Sequence, residues 1–219
     1  MTMKNKKEKK ETDNSLERVN FFSDGIFAIL ITIMVLELKK PESPTFHALF
    51  RLWPTWISYA VSYLFIAIVW INHHYLMKNA KEASVRLMWA NFAHLFAVSL
   101  IPFFTAWIAE TELAAIPVTV YAFIFLIVNI TYLFIVYETI CDKHEVKIIR
   151  KGSPLLHVRS IATVMMFTIS IPISFFSPLS GLTMIVCSLM LYVRPELPLK
   201  EGKIDKEINV DSEKEIKTN

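Results

Sequence analysis

Long apolar runs separated by short charged breaks dominate the chain, extending approximately over residues 21–38, 53–75, 87–108, 116–137, 155–176 and 179–193. At a rise of about 1.5 Å per residue, the first run gives a helix of about 27 Å. The last, at about 15 residues, gives about 23 Å and must sit short in the bilayer or thin it locally. The breaks at 107–116 and 176–179 are so brief that the runs they join must fold back as antiparallel hairpins. The pattern predicts an all-α integral membrane protein, a six-helix bundle with no room between its spans for a soluble domain.

Composition strengthens this reading. The 219 residues are 54% hydrophobic with a mean hydropathy of +0.43, more apolar surface than a soluble domain of this length can bury. Charge is concentrated at the two ends, whereas residues 116–136 hold no ionisable side chain except Tyr121 and Tyr132. The expected organisation is a charged cytoplasmic tail at 1–17, a six-span membrane domain at 18–194 and a disordered cytoplasmic tail at 195–219. The first apolar run starts late and lacks a small-residue cleavage site, so it reads as a retained span and not a signal peptide.

Orientation follows from the basic residues, which favour the cytoplasmic side during insertion. With six spans and an inward N-terminus, all of the 23 basic residues except Lys39, Lys40 and Arg51 fall in the cytoplasm, together with both chain ends. The loop holding Glu110 and Glu112 then lies outside. A net charge of +3, with no basic helical face, argues against a nucleic-acid partner. Cys141 and Cys187 have no spacing that suggests a disulfide framework or a zinc site and are expected to be structural.

Polar side chains inside spans are costly unless paired, which makes them the most informative residues. Asp24 follows Arg18 by six residues, about 9 Å along a helix that starts inside, in the cytoplasmic third of the bilayer. Trp70, Asn72, His73 and His74 arrive at the cytoplasmic end of the descending second span. Asn91 and His94 lie at a similar depth on one face of the third. A buried hydrogen-bonded cluster joining the first three spans satisfies them; alternatively, Ser23 and Asp24 merely cap a helix and the histidines sit among headgroups. A metal site from Asp24, His73, His74 and His94 is disfavoured, since adjacent histidines diverge by about 100° on a helix and no HExxH spacing supports them. Neither a nucleophile and base pair nor a glycine-rich elbow is present, so an enzyme is not expected. The four glycines, Gly25, Gly152, Gly181 and Gly202, are too scattered for a carbonyl-lined TVGYG filter, and no span has the repeated arginines of a voltage sensor.

The segment from Arg18 through Phe22-Ser23-Asp24-Gly25 to Ile29, continuing through Thr32 to Pro41, resembles the signature of the bacterial branch of the transmembrane protein 175 family. The resemblance extends to Trp70-Ile71-Asn72-His73-His74 and to Asn91 with Ser99-Leu100-Ile101-Pro102-Phe103, and thus covers three of the six expected spans with specific motifs. It implies a potassium-permeable leak channel, a homotetramer around a central pore lined by the first helix of each subunit. Carried over, the family's hydrophobic constriction falls on Ile29, Ile33 and Leu36, and its selectivity threonine on Thr32. The same resemblance gives Arg18, Phe22, Ser23 and Asp24 a structural role, locking the first helix to its neighbours through Trp70, His73, His74 or Asn91. Potassium is then the permeant ion, with no organic cofactor and no resident metal, in a prokaryotic plasma membrane. A proton-coupled cation transporter relaying through Asp24 and His73 or His74 is the rival reading, and a non-conducting membrane scaffold is the third.

Overall fold

The computed structural model describes residues 3–80, 82–140 and 154–193. Eight helices make up this part of the chain: α1 (Met3–Leu36), α2 (Phe46–Arg51), α3 (Trp53–Lys78), α4 (Val85–Ser99), α5 (Ile101–Glu110), α6 (Ala115–Ile140), α7 (Pro154–Phe176) and α8 (Pro178–Tyr192). Among the described residues there is no strand. Four stretches are long and apolar enough to cross a membrane, Asn14–Leu36, Trp53–Lys78, Val85–Glu110 and Ala115–Thr139; Ser160–Phe176 and Pro178–Leu191 are shorter apolar helices. Cys141, the basic cluster at 143–151 and the tail at 195–219 lie outside the described residues.

Local chemistry explains where the helices begin and break. The Thr45 hydroxyl caps α2 by accepting the Ala48 N–H at 3.2 Å, and the Ser84 hydroxyl caps α4 by accepting that of Leu87 at 3.1 Å; each satisfies an orphan donor of a first turn. The apolar run 85–110 is split at Leu100 because Pro102 lacks an N–H and its ring clashes with the carbonyl four residues earlier. Ser177 alone separates α7 from α8. This tight return depends on Gly181: a Cβ there would stand 2.7 Å from the Ser174 Cα, so the two backbones meet only where a side chain is missing. Helix α1 runs unbroken across the boundary at 17/18.

Helix α6 lies at the centre and packs against α4, α5, α7 and α8. Its Phe125 stacks on Phe65 of α3 at 3.6 Å between centroids, nearly parallel, and Phe167 of α7 meets both rings edge-on. Lipid is as apolar as these side chains, so the interior is held by close packing and by hydrogen bonds between helices rather than by exclusion of water. One such set of bonds joins Ser62 of α3 to Thr105 of α5 at 2.6 Å and to the Tyr121 hydroxyl of α6. A smaller cluster of Leu16, Met77, Leu87 and Ile135 closes one end of the bundle. At the other end Lys39, just past α1, pairs with Glu110 of α5 at 2.7 Å, which sets both residues at the same side of the membrane.

Candidate functional site

Helix α1 buries one row of residues and exposes the opposite one. Leu16, Ser23, Phe27, Leu30 and Met34 are buried at spacings of seven, four, three and four, the recurrence of a single helical face. Ser23 is the polar member of that row. Its hydroxyl donates to the Val19 carbonyl at 2.9 Å and accepts from the Asn91 amide at 3.0 Å. The Asn91 amide oxygen lies 2.7 Å from His73 Nε2; an amide oxygen only accepts, so the network assigns the His73 proton to Nε2. Ser23, His73 and Asn91 are all fully buried, and together they tie α1, α3 and α4 at one level.

The chain of contacts continues to α6. The His94 ring lies parallel to that of His73 at 5.9 Å, and its Nδ1 is 3.1 Å from the Thr131 hydroxyl. That hydroxyl already donates to the carbonyls of Ile127 and Val128, so it accepts from His94. Among the described residues His94 Nε2 has no hydrogen-bond partner; the ring faces Tyr132 at 5.9 Å. Asn72 is buried beside this cluster and donates to the Ile68 carbonyl of its own helix at 2.8 Å.

The remaining motif residues lie outside this buried chain. Asp24 is half-buried and accepts from the Trp70 indole N–H at 2.8 Å near the protein surface. His74 is exposed, its ring 5.7 Å from that of Trp70. Phe22 is exposed and meets Phe92 of α4 edge-on at 5.6 Å. Arg18 lines an open groove between α1 and α4 and makes no hydrogen bond or ion pair among the described residues. The capping alternative for Ser23 and Asp24 is corrected, since α1 starts far upstream at Met3 and both residues are in its interior. So is the headgroup-level alternative for His73 and His94, which are buried among helices; it fits only His74. Among the described residues no group of three or more His, Cys, Asp or Glu side chains could hold a metal ion.

On the face of α1 turned from its own bundle stand Ile29, Thr32 and Leu36, with Ile33 at the flank. Ile29 is 57% exposed, Ile33 39% and Leu36 80%. The Thr32 hydroxyl donates to the Ile29 carbonyl at 2.8 Å, which fixes its rotamer while the oxygen lone pairs still face outward. Only 22% of the apolar stretch of α1 is buried within the bundle, against 44% for α3, 44% for α4–α5 and 50% for α6. Sequence reasoning missed Thr131 and the Ser62, Thr105 and Tyr121 cluster. Threonines and serines in apolar helices ordinarily bond their own backbone, so nothing in the pattern marks the few that also reach a neighbour.

A family model described as the endosomal/lysosomal potassium channel TMEM175 matches residues 18–102, the stretch that runs from Arg18 within α1 through α4 and holds most of the polar cluster. A protein named potassium channel from Chryseobacterium sp. is 31% identical over 186 residues, spanning 84% of this chain and 96% of its own. Another of that name from Streptomyces collinus is 40% identical over 101 residues, which cover 44% of this chain and 49% of the relative. Among solved structures, the crystal structure of a lysosomal potassium-selective channel TMEM175 homolog from Chamaesiphon minutus superposes with a TM-score of 0.71 at 27% identity, covering 82% of this chain and 96% of that one.

Proposed function

The chain belongs to the TMEM175 family of membrane channels, and from that premise we propose that it conducts potassium passively through a pore enclosed by four copies of α1. The single observation that carries this reading is the outward row of α1. A span that buries so little of itself in its own subunit, and turns Ile29, Thr32 and Leu36 away from the core, is free to meet its own copies around an axis. One subunit with one such helix encloses no conduit, so the reading requires a homotetramer.

In this account four Ile29 side chains converge at the pore axis and offer no ligand to replace an ion's hydration shell. The ring resists wetting and is the main barrier, with Ile33 and Leu36 continuing the constriction outward. Thr32 lends hydroxyl oxygens beside it and shapes the preference for potassium over sodium. Ser23, His73 and Asn91 anchor the pore helix to α3 and α4 below the constriction, with Asp24 on Trp70 as a second attachment. The six apolar helices all span the membrane, residues 18–194 form the channel domain, and both tails lie in the cytoplasm of a prokaryotic plasma membrane. No step of chemistry is involved, and the family is one of channels and not of enzymes.

The test is flux through purified protein in liposomes at constant pH. Potassium should move down its own gradient without an opposing proton flux. A strict requirement for proton counterflow would favour the transporter, and a stable monomer with no flux would favour the scaffold.

A further inference from the structure

Helix α2 has six residues, none of them buried. At 100° per residue Phe46, Leu49 and Phe50 fall within an arc of about 100°, while His47 and Arg51 stand together on another side. The apolar arc has no cover within the bundle, for Phe46 is 80% exposed and Phe50 73%. Exposed aromatic side chains continue past the break at Leu52, with Trp53 and Trp56 in the first turn of α3.

This short helix does not simply lengthen α3. Pro54 lacks the N–H that a continuous helix would donate to the Phe50 carbonyl, so the helix breaks at Leu52, which ends α2 and begins α3. The 26 residues of α3 already reach about 39 Å, more than a hydrocarbon core of about 30 Å requires. Two phenylalanines stacked beyond such a span along its axis would stand in water. Laid across it, they meet the boundary between headgroups and acyl chains, the level at which tryptophans such as Trp53 and Trp56 gather.

We propose that α2 lies in the plane of the membrane surface, with Phe46, Leu49 and Phe50 sunk among the acyl chains of the adjoining leaflet and His47 and Arg51 held at headgroup level. Lipid fits this face better than a second copy of the chain does. Three side chains on a helix about 9 Å long cover far less than the roughly 800 Å² per partner of a stable interface, and residues 37–45 separate α2 from the outward row of α1. An apolar arc opposed by an arginine is the composition of a helix bound at a lipid surface. The guanidinium reaches the phosphates while the rings pass below them. Because α2 follows the loop after α1 and leads into α3, its immersion fixes the height of that loop against the bilayer. The proposal rests on α1 and α3 crossing the membrane, and on neither conduction nor the number of subunits.

Photocrosslinking of the full-length protein in vesicles of phosphatidylglycerol and phosphatidylcholine tests the placement. The photoreactive residue p-benzoylphenylalanine replaces Phe46, His47, Phe50 or Arg51 in turn, and the products are read by mass as lipid adducts, joined chains or neither. Lipid adducts should form several-fold more from positions 46 and 50 than from 47 and 51. Equal yields from all four, or no adduct from 46 and 50, would overturn the proposal. So would chains joined to one another through 46 or 50 in place of lipid, which would assign the face to a second copy. Phe46→Cys and Arg51→Cys, each carrying only a small thiol, repeat the comparison where a bulky photoreactive residue prevents folding. Above the wild-type background, a membrane-impermeant maleimide should label position 46 several-fold more slowly than position 51, and equal rates would overturn the proposal.

Discussion

At the residue scale, the buried chain of Ser23, Asn91 and His73 differs from the contact of Asp24 with Trp70, although all five side chains belong to the three motifs that carry the resemblance. Asn91→Leu removes the acceptor of the buried His73 Nε2 proton, a cost of about 1–3 kcal/mol that membrane surroundings hold toward the lower end. Asp24→Ala removes one bond near the surface, where lipid headgroups or water replace part of what is lost. Thermal unfolding in detergent should therefore show a larger loss for Asn91→Leu than for Asp24→Ala. The reverse order would mean that Asp24 carries an interaction between subunits. Even so, Asp24→Ala should reduce assembled protein more than it changes the ratio of potassium to sodium permeability. A sharp change in that ratio with normal assembly would place the carboxylate on the ion path.

At the element scale, two glycines make opposite predictions. Gly181 sits where α8 crosses Ser174 of α7 so closely that a Cβ has no space. Gly181→Ala should cost about 1–3 kcal/mol as the hairpin is forced apart, read as a lower unfolding temperature. At Gly25 a Cβ meets nothing within 4 Å in the subunit, and alanine gains about 0.5–1 kcal/mol of helix propensity. A Gly25→Ala protein whose subunit unfolds no earlier but whose tetramer falls apart would locate a close crossing between copies of α1. The glycine spacing in the sequence said nothing of this difference, because both residues lie in helices and neither needs a positive φ. The positions of the apolar helices were legible, since hydropathy over about twenty residues integrates many side chains and tolerates local error. The short α2 was not, because six residues carry too few turns for a periodicity to register. That Ser23, His73 and Asn91 share a level could be counted from the charged ends of the apolar runs. Their pairing could not, since it depends on the rotation of each helix about its own axis.

At the scale of the whole molecule, α1 is a well-anchored helix with an unfinished surface. Its inner row is fixed by Phe27, Leu30 and Met34 in the core, while its outer row is exposed among the described residues. In the proposed tetramer four subunits complete that surface and in doing so make the pore, so assembly and conduction are one event in this account. Cross-linking or mass measurement in mild detergent should return four chains. The most direct test replaces Ile29, where the account puts the barrier, and compares single-channel current and reversal potential of wild type, Ile29→Asn and Thr32→Ala in one bilayer system under opposed potassium and sodium gradients. Asparagine is of similar size and hydrogen-bonds to water, so Ile29→Asn should raise conductance and move the reversal potential toward zero, with a smaller shift for Thr32→Ala and normal assembly in both. Unchanged conductance and reversal potential in both assembled variants would contradict the account, because the outward face of α1 would then not line the path of the ion.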